Sequence, residues 1–294
     1  MQENPFPFFK TQSIKSILET HGAGARKKWG QNFLVDKQMV DFIEKTIREE
    51  CSGKPIKLAE IGPGLGALTH RLIDFPTELF LFEIDPVMIS VLKESYSSKK
   101  NFHIFEGDVL QNIQNITVQD IYLVGNLPYY ITSEIITLSL KSLKLKGAIF
   151  MVQKEFAERI CREVSSISIF AGLFGEFKYL KEVSSGCFYP RPKASSALIL
   201  FRPYEEPIYE SLKDIQLAET FLKGLFWGKR KTLKKNLQDS PFFKELEEKI
   251  IRIFIQGLAA HSISPDTRPD NISKKEYINI FIYLFSELKN RPVS

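Results

Sequence analysis

Apolar positions in the first two hundred residues fall into short runs, and helical spacing separates each run from the next. The runs Ile56–Ile61, Glu78–Glu83, Phe102–Phe105, Ile121–Gly125 and Ala148–Gln153 read as strands, since continuous apolar stretches of this length suit a sheet buried on both faces. A helix is expected after Asp36, a good N-cap, with Met39, Val40, Ile43 and Ile47 on one face. Further helices are expected over Pro86–Tyr96, with proline at a favoured first-turn position, and over Ser133–Leu143 and Glu155–Arg162. Strand–helix alternation at this spacing predicts an α/β fold with a doubly wound, mostly parallel sheet. Two later strands, Phe177–Val183 and Ala197–Phe201, are expected to pair as an antiparallel edge hairpin.

After Pro203 the pattern changes. Tyr204-Glu205-Glu206-Pro207 reads as a linker, and everything beyond has helical spacing: Leu217, Phe221 and Leu225, then Phe254–Leu258, then a last helix over Ser273–Leu288. The expected organisation is an N-terminal arm over residues 1–30, a sheet domain over 31–203 and a small all-α domain over 204–294. Neither an internal repeat nor a low-complexity tract interrupts it.

Composition narrows the classes. With 44% hydrophobic residues among 294, the chain has ample material for a core. Its 40 Lys and Arg against 35 Asp and Glu leave a net charge of +5, a modest excess that hints at a polyanionic partner without requiring one. The three cysteines, Cys51, Cys161 and Cys187, are far apart and form no CxxC pair, which argues against a disulfide framework or a zinc site and suits a reducing cytosol. The start, MQENPFPFFK, carries an acid and two prolines where a signal peptide would place basic residues and an apolar block, and no stretch approaches a membrane span in length. A cytoplasmic protein with no membrane partner and no metal is expected.

Two motifs carry chemistry. Asn126-Leu127-Pro128-Tyr129 follows the run Ile121–Gly125, so a side-chain amide stands at the carboxyl end of a central strand, the edge where open α/β sheets bind ligands. An amide, a stiffened turn and an aromatic wall suit a planar heterocycle with an exocyclic amine, although asparagine and proline are also ordinary turn residues. The second motif, Glu60-Ile61-Gly62-Pro63-Gly64-Leu65-Gly66, ends the first strand and opens a helix. Its glycines let the backbone approach a ligand closely, and with Ala67 they also match the dinucleotide pattern, so an NAD enzyme must be weighed. Glu60 beside the loop favours a cofactor bearing an ammonium or sulfonium. Glu83 ends the second strand, where such folds place the acid that accepts from both ribose hydroxyls, and Asp108 ends the third, where a carboxylate can accept from an adenine amine. One acid at a strand end is commonplace. Three such acids with a glycine turn along one sheet edge point to a nucleoside-bearing cofactor.

These motifs, together with Lys27–Asp36, Gln153-Lys154-Glu155, Phe188-Tyr189-Pro190-Arg191-Pro192-Lys193, Lys229–Leu233 and Arg268–Ser273, resemble the KsgA family of ribosomal RNA adenine N6,N6-dimethyltransferases over nearly the whole chain. The resemblance implies a seven-stranded class I methyltransferase sheet and a C-terminal RNA-recognition domain. It implies S-adenosyl-L-methionine held by Gln31, Asn32 and Leu34, by the turn Gly62, Gly64 and Gly66 with Glu60, by Glu83 and Ile84, by Asp108 and Val109, and by Asn126. The implied substrate is two adjacent adenosines in the 3′-terminal hairpin loop of small-subunit rRNA, within a pre-ribosomal particle, acted on by a monomer. Two departures stand out: Pro192-Lys193-Ala194-Ser195-Ser196 replaces the family's P-K-V-D-S, and Arg162–Phe170 lacks its Gly-rich, Tyr-Gly sequence.

In that setting Asn126 and the Leu127 carbonyl accept from the adenine N6–H, Pro128 stiffens the loop, and Tyr129 and Phe188 are stacking walls, with core packing the plain alternative for Phe188. The basic clusters Lys27 and Lys28, and Lys229, Arg230, Lys231, Lys234 and Lys235, together with Lys193, are candidate RNA contacts, against the usual reading of such runs as solvated faces. The rival readings are a 23S rRNA methyltransferase of the antibiotic-resistance (Erm) type and a non-catalytic RNA-binding assembly factor on the same scaffold. A dehydrogenase ranks below both, because Asn-Leu-Pro-Tyr has no role in hydride transfer.

Overall fold

The computed structural model describes residues 6–21, 31–51, 56–116, 119–206, 208–209, 211–228 and 230–290. The chain divides into two compact units: Met1–Ala157 with Lys178–Arg202, and Glu158–Phe177 with Pro203–Ser294.

The first unit begins with α1 (Thr11–Thr20), β1 (Phe33–Leu34) and α2 (Lys37–Glu50). Asp36 caps α2 by accepting from Met39 N at 2.8 Å, and the buried face is the expected Met39, Val40, Ile43 and Ile47. Then follow β2 (Lys57–Ile61), α3 (Thr69–Leu72), β3 (Leu79–Glu83), α4 (Pro86–Ser95), β4 (Phe102–Glu106), α5 (Val109–Asn112), β5 (Ile121–Asn126), α6 (Thr132–Ser142) and β6 (Leu145–Gln153). α7 (Lys154–Cys161) and α8 (Ser166–Gly172) precede β7 (Gly175–Val183), β8 (Phe188–Tyr189) and β9 (Ser196–Pro203). Seven strands form one sheet in the order β4-β3-β2-β5-β6-β9-β7. β2 pairs in parallel with both β3 and β5, β3 with β4 and β5 with β6, whereas β9 runs antiparallel to β6. β9 and β7 are neighbours, as expected of the late strands, but β9 lies inside the sheet and β7 forms the edge on that side. The connection between them is too structured for a tight hairpin, since it holds a 3-10 turn and β8.

Strand order reverses between β2 and β5, which opens the crevice at the carboxyl ends of these strands. The register Ile61↔Gly125 sets the glycine turn after β2 directly beside Asn126. Gly125 permits that approach, because a Cβ there would stand 2.9 Å from the Ile61 backbone oxygen.

The second unit adds α9 (Leu212–Leu225), α10 (Leu233–Asp239), α11 (Glu248–Ala260) and α12 (Lys274–Asn290). Ser211 and Asp214 form a reciprocal capping box at the start of α9. The core of this unit stacks Phe221 on Phe254 with ring centroids 4.4 Å apart, and Phe281 packs against both. α8 packs on α9 and α12, with Gly172 against Ile278, so residues 158–177 group with the C-terminal helices. Lys274 at the start of α12 donates to the Ile160 and Cys161 carbonyls, at 3.1 and 3.0 Å, satisfying acceptors at the end of α7.

Candidate active site

The glycine turn is shaped by its backbone. Gly64 has φ +56°, a region that strains residues with a Cβ, and its N–H donates to Glu83 Oε2 at 3.0 Å. The other carboxylate oxygen of Glu83 accepts from Ile84 N and Asp85 N, each at 2.9 Å. Burial raises the pKa of Glu83, and these three backbone donors work against that rise. A carboxylate has about four acceptor positions, and the backbone takes three of them. A ligand diol therefore meets an acid that is already oriented, and accepting from two hydroxyls requires one backbone donor to share its oxygen.

Asp85, next in the chain, caps α4 by accepting from Val87 N at 2.9 Å, and its other oxygen accepts from Gln31 Nε2 at 2.8 Å. Gln31 is thereby anchored at the pocket by a buried acid that the pattern of strand ends did not single out. Asp108 caps α5 through Leu110 N at 2.9 Å and lines the same cavity. The Asn126 amide nitrogen donates to the Asn32 carbonyl at 2.9 Å, which leaves Oδ1 as the amide's acceptor. Leu127 is buried and tied by its N–H to the Met151 carbonyl at 2.9 Å. The Pro128 carbonyl accepts from Thr132 Oγ1 at 2.8 Å, and the Tyr129 hydroxyl pairs with the buried Ser196 Oγ at 2.7 Å. Burial pushes the Tyr129 pKa up, so its hydroxyl keeps its proton.

One cavity thus brings together Gln31, Asn32, Gly62, Gly64, Glu83, Ile84, Asp108, Val109, Asn126, Leu127, Pro128 and Tyr129, all expected from the sequence. Phe33, Ile61, Phe82, Gly107, Leu110, Tyr130 and Ile131 complete its walls. Tyr130 was legible as the residue following the motif, but nothing in the pattern separated it from an ordinary turn residue.

Other expected residues lie elsewhere. Leu34 and Glu60 face a second, adjoining cavity, which shares Asn32, Gly62, Gly64 and Asn126 with the first and is closed by Phe6 and Phe8. Glu60 is 2% exposed, and Thr69 Oγ1 donates to it at 2.6 Å. Burial pushes its pKa up to about 8, helped by the nearby Glu83 and opposed by the Thr69 hydrogen bond. The pKa thus stands well above the ordinary carboxylate range, which favours the neutral acid where the sequence suggests a carboxylate. Gly66 lines neither cavity; it faces Leu92 and Tyr96, so its smallness serves the fit of the turn against α4. Phe188 is corrected from stacking wall to core: it is 2% exposed, pairs with Leu34 across β8 and β1, and packs in the sheet's hydrophobic cluster outside the pocket lining.

The basic residues divide as well. Lys27, Lys28 and Lys229 lie outside the described residues. Lys193, Arg230 and Lys234 are exposed. Lys231 lies 4.6 Å from the centre of the Trp227 ring and pairs with Asp239 at 2.9 Å, while Lys235 meets the same acid at 3.5 Å. The turn carrying them is tied by the buried Asn236, whose amide donates to Leu225 O at 2.7 Å and accepts from Gly228 N at 3.0 Å. Among the described residues no cluster of His, Cys, Asp and Glu could hold a metal ion, and no helix is long and apolar enough to cross a membrane.

Acceptors at successive strand ends, a positive-φ glycine turn and a buried acid behind it form a donor and acceptor set that fits a nucleoside carrying a cationic tail. The oriented amide and the Tyr129 ring fit a second, planar ligand. Comparison with known proteins identifies relatives. The chain is 36% identical over 236 residues to Ribosomal RNA small subunit methyltransferase A of Treponema denticola, spanning 76% of this chain and 78% of the relative. The protein of the same name from Shouchella clausii is 31% identical over 287 residues, 93% and 94% of the two chains. Among solved structures, the 23S rRNA methyltransferase ErmE and a dimethyladenosine transferase from Plasmodium falciparum share the fold, each with a TM-score of 0.63 at 24% identity. They cover 86% of this chain, and 99% and 97% of their own. The family described as Ribosomal RNA adenine dimethylase matches residues 22–285, and the chain belongs to it.

Proposed function

We propose that the protein dimethylates N6 of two adjacent adenosines in the 3′-terminal hairpin loop of small-subunit rRNA, in a pre-ribosomal particle of the cytoplasm, with S-adenosyl-L-methionine as methyl donor. The observation that carries this reading is the Asn126 amide, held by Asn32 with its oxygen left to accept at the cavity.

An exocyclic adenine amine is a weak nucleophile because its lone pair is delocalised into the ring. Asn126 Oδ1 and the Leu127 carbonyl accept from N6–H and favour the tetrahedral form of the nitrogen. Their attraction grows as positive charge develops there, the condition for accelerating the step rather than only binding the base. Tyr129, its hydroxyl fixed on Ser196, offers a ring face for the base. When bound, S-adenosylmethionine supplies a methyl group already activated by its sulfonium. Glu83 and Asp108 would hold its ribose and adenine, the Gly62–Gly64 turn would let it approach the main chain closely, and Glu60 would lie toward its cationic end. No general base is required of the chain, since the methylated ammonium is acidic enough to lose its proton to water. The helical unit and the exposed Lys193, Arg230 and Lys234 contact RNA phosphates.

Mass analysis of rRNA from cells with and without the gene tests this. The expected result is loss of dimethyladenosine from small-subunit rRNA, restored by the wild-type gene and not by Asn126→Ala. A change confined to large-subunit rRNA would move the protein to the Erm type. Restoration by Asn126→Ala would show that methylation does not depend on this amide, and dimethyladenosine unchanged without the gene would favour the assembly-factor reading.

A further inference from the structure

Tyr130 is 60% exposed, more than any other large aromatic among the described residues, yet it lines the same cavity as Asn126 and Tyr129. It therefore stands at the cavity's open edge. Its direction is set by the 3-10 turn Tyr129–Ile131, closed by Ile131 N on the Pro128 carbonyl at 3.3 Å and braced by the Thr132 hydroxyl on the same carbonyl. With three residues per turn, neighbours in such a turn point about 120° apart. Tyr129 reaches inward to Ser196, so Tyr130 reaches out. Among the described residues Tyr130 makes no ring contact and no hydrogen bond, so no role within the fold accounts for a large ring held in water at this place.

We infer that Tyr130 is the stacking platform for the nucleotide next to the target adenosine in the RNA chain. This rests on the RNA reading above and deepens it. A base drawn into a pocket leaves its neighbour without one stacking partner, at the pocket's edge. An aromatic face placed there replaces the lost stack, and it does so for any base, because every base has a π-face. Tyr130 then holds the strand while Asn126 and Tyr129 hold the target.

The test uses the full chain and two RNA hairpins, one carrying the natural-type loop with adjacent adenosines and one in which the target's neighbour is abasic. On the first hairpin, Tyr130→Ala should raise the KM for RNA about 5- to 150-fold, the range for one lost base–aromatic stack, with kcat falling by less. Tyr130→Phe and Tyr130→Trp should stay near wild type, and Tyr130→Leu should not. On the abasic hairpin, wild type and Tyr130→Ala should have the same KM. The inference is overturned if Tyr130→Ala keeps the wild-type KM, if leucine serves as well as phenylalanine, or if the defect persists undiminished on the abasic RNA. Failure of the wild-type protein to methylate this loop both as the free hairpin and within the isolated small-subunit particle would instead remove the RNA reading itself, and this inference with it.

Discussion

The Asn126 side chain donates from Nδ2 to the backbone carbonyl of Asn32, 94 positions earlier and 2.9 Å away. A carbonyl oxygen can only accept, so this contact decides which end of the amide is which. The remaining oxygen is the group the proposed chemistry needs. In the proposed mechanism the leading segment before α2 would therefore act on catalysis through the orientation of one amide.

Asn126→Ala should lower turnover by about 10²–10³, the scale for removing one group that stabilises a transition state. Asn126→Asp should fare no better, because a carboxylate would face the Asn32 carbonyl with no proton to offer. Single-turnover methyl transfer at saturating cofactor measures both. Rates within severalfold of wild type would end the polarisation mechanism.

Glu83 organises the turn, and in the proposed site it also holds the ligand. Glu83→Ala should weaken S-adenosylmethionine binding by roughly 2–5 kcal/mol, while RNA affinity barely moves. Amide exchange at Gly64, Ile84 and Asp85 should quicken, because each loses its acceptor. Calorimetry showing unchanged cofactor affinity would take Glu83 out of the site.

Glu60 gives the ligand-free protein a particular pH dependence. Its pKa stands near 4.5 when unfolded and about 8 when folded, so between these values the native state holds the extra proton. The stabilisation is present below the lower value and is lost as pH rises through the upper one, with a slope of at most about 1.4 kcal/mol per pH unit. Glu60→Gln keeps an acceptor for Thr69 and removes the titration, so its stability should fall less than that of wild type between about pH 5 and pH 8. Chemical denaturation at several pH values decides it, and parallel curves would refute the assignment. A cationic ligand beside Glu60 should also release a proton on binding, visible in calorimetry as a heat that depends on the buffer.

For Phe188 a core residue's pattern is expected. Phe188→Ala should cost about 3–5 kcal/mol of folding stability, Phe188→Leu should be tolerated, and Phe188→Trp should be damaging. Melting temperature and activity measured on the three variants separate this from stacking, for which Trp would work and Leu would not.

Lys234 is exposed and makes no ion pair among the described residues, whereas Lys231 and Lys235 share Asp239. Neutralising Lys234 should therefore lower the log–log salt slope of RNA binding by about 0.7–0.9. An identical slope would return it to a solvated face. Asp239→Asn frees its two lysines and should steepen the slope.

The strands, their parallel order and the edge where the cavity lies were readable along the chain, because each rests on local chemistry. Apolar runs mark strands buried on both faces, glycines mark a turn that must pass through positive φ, and acids at strand ends converge once the strands are parallel. Glu83, Asp108 and Asn126 were found this way. Other features depend on partners distant in sequence. Phe188 and Leu34 pair across β8 and β1, which turns a plausible stacking ring into core. Burial, with Glu83 nearby, raises the pKa of Glu60 where the sequence suggests an ordinary carboxylate. Asp239 takes up two lysines that read as free. Periodicity reports which side of its own element a residue occupies. Desolvation, hydrogen-bond polarity and ion pairing depend on what stands opposite, and only the folded chain supplies that.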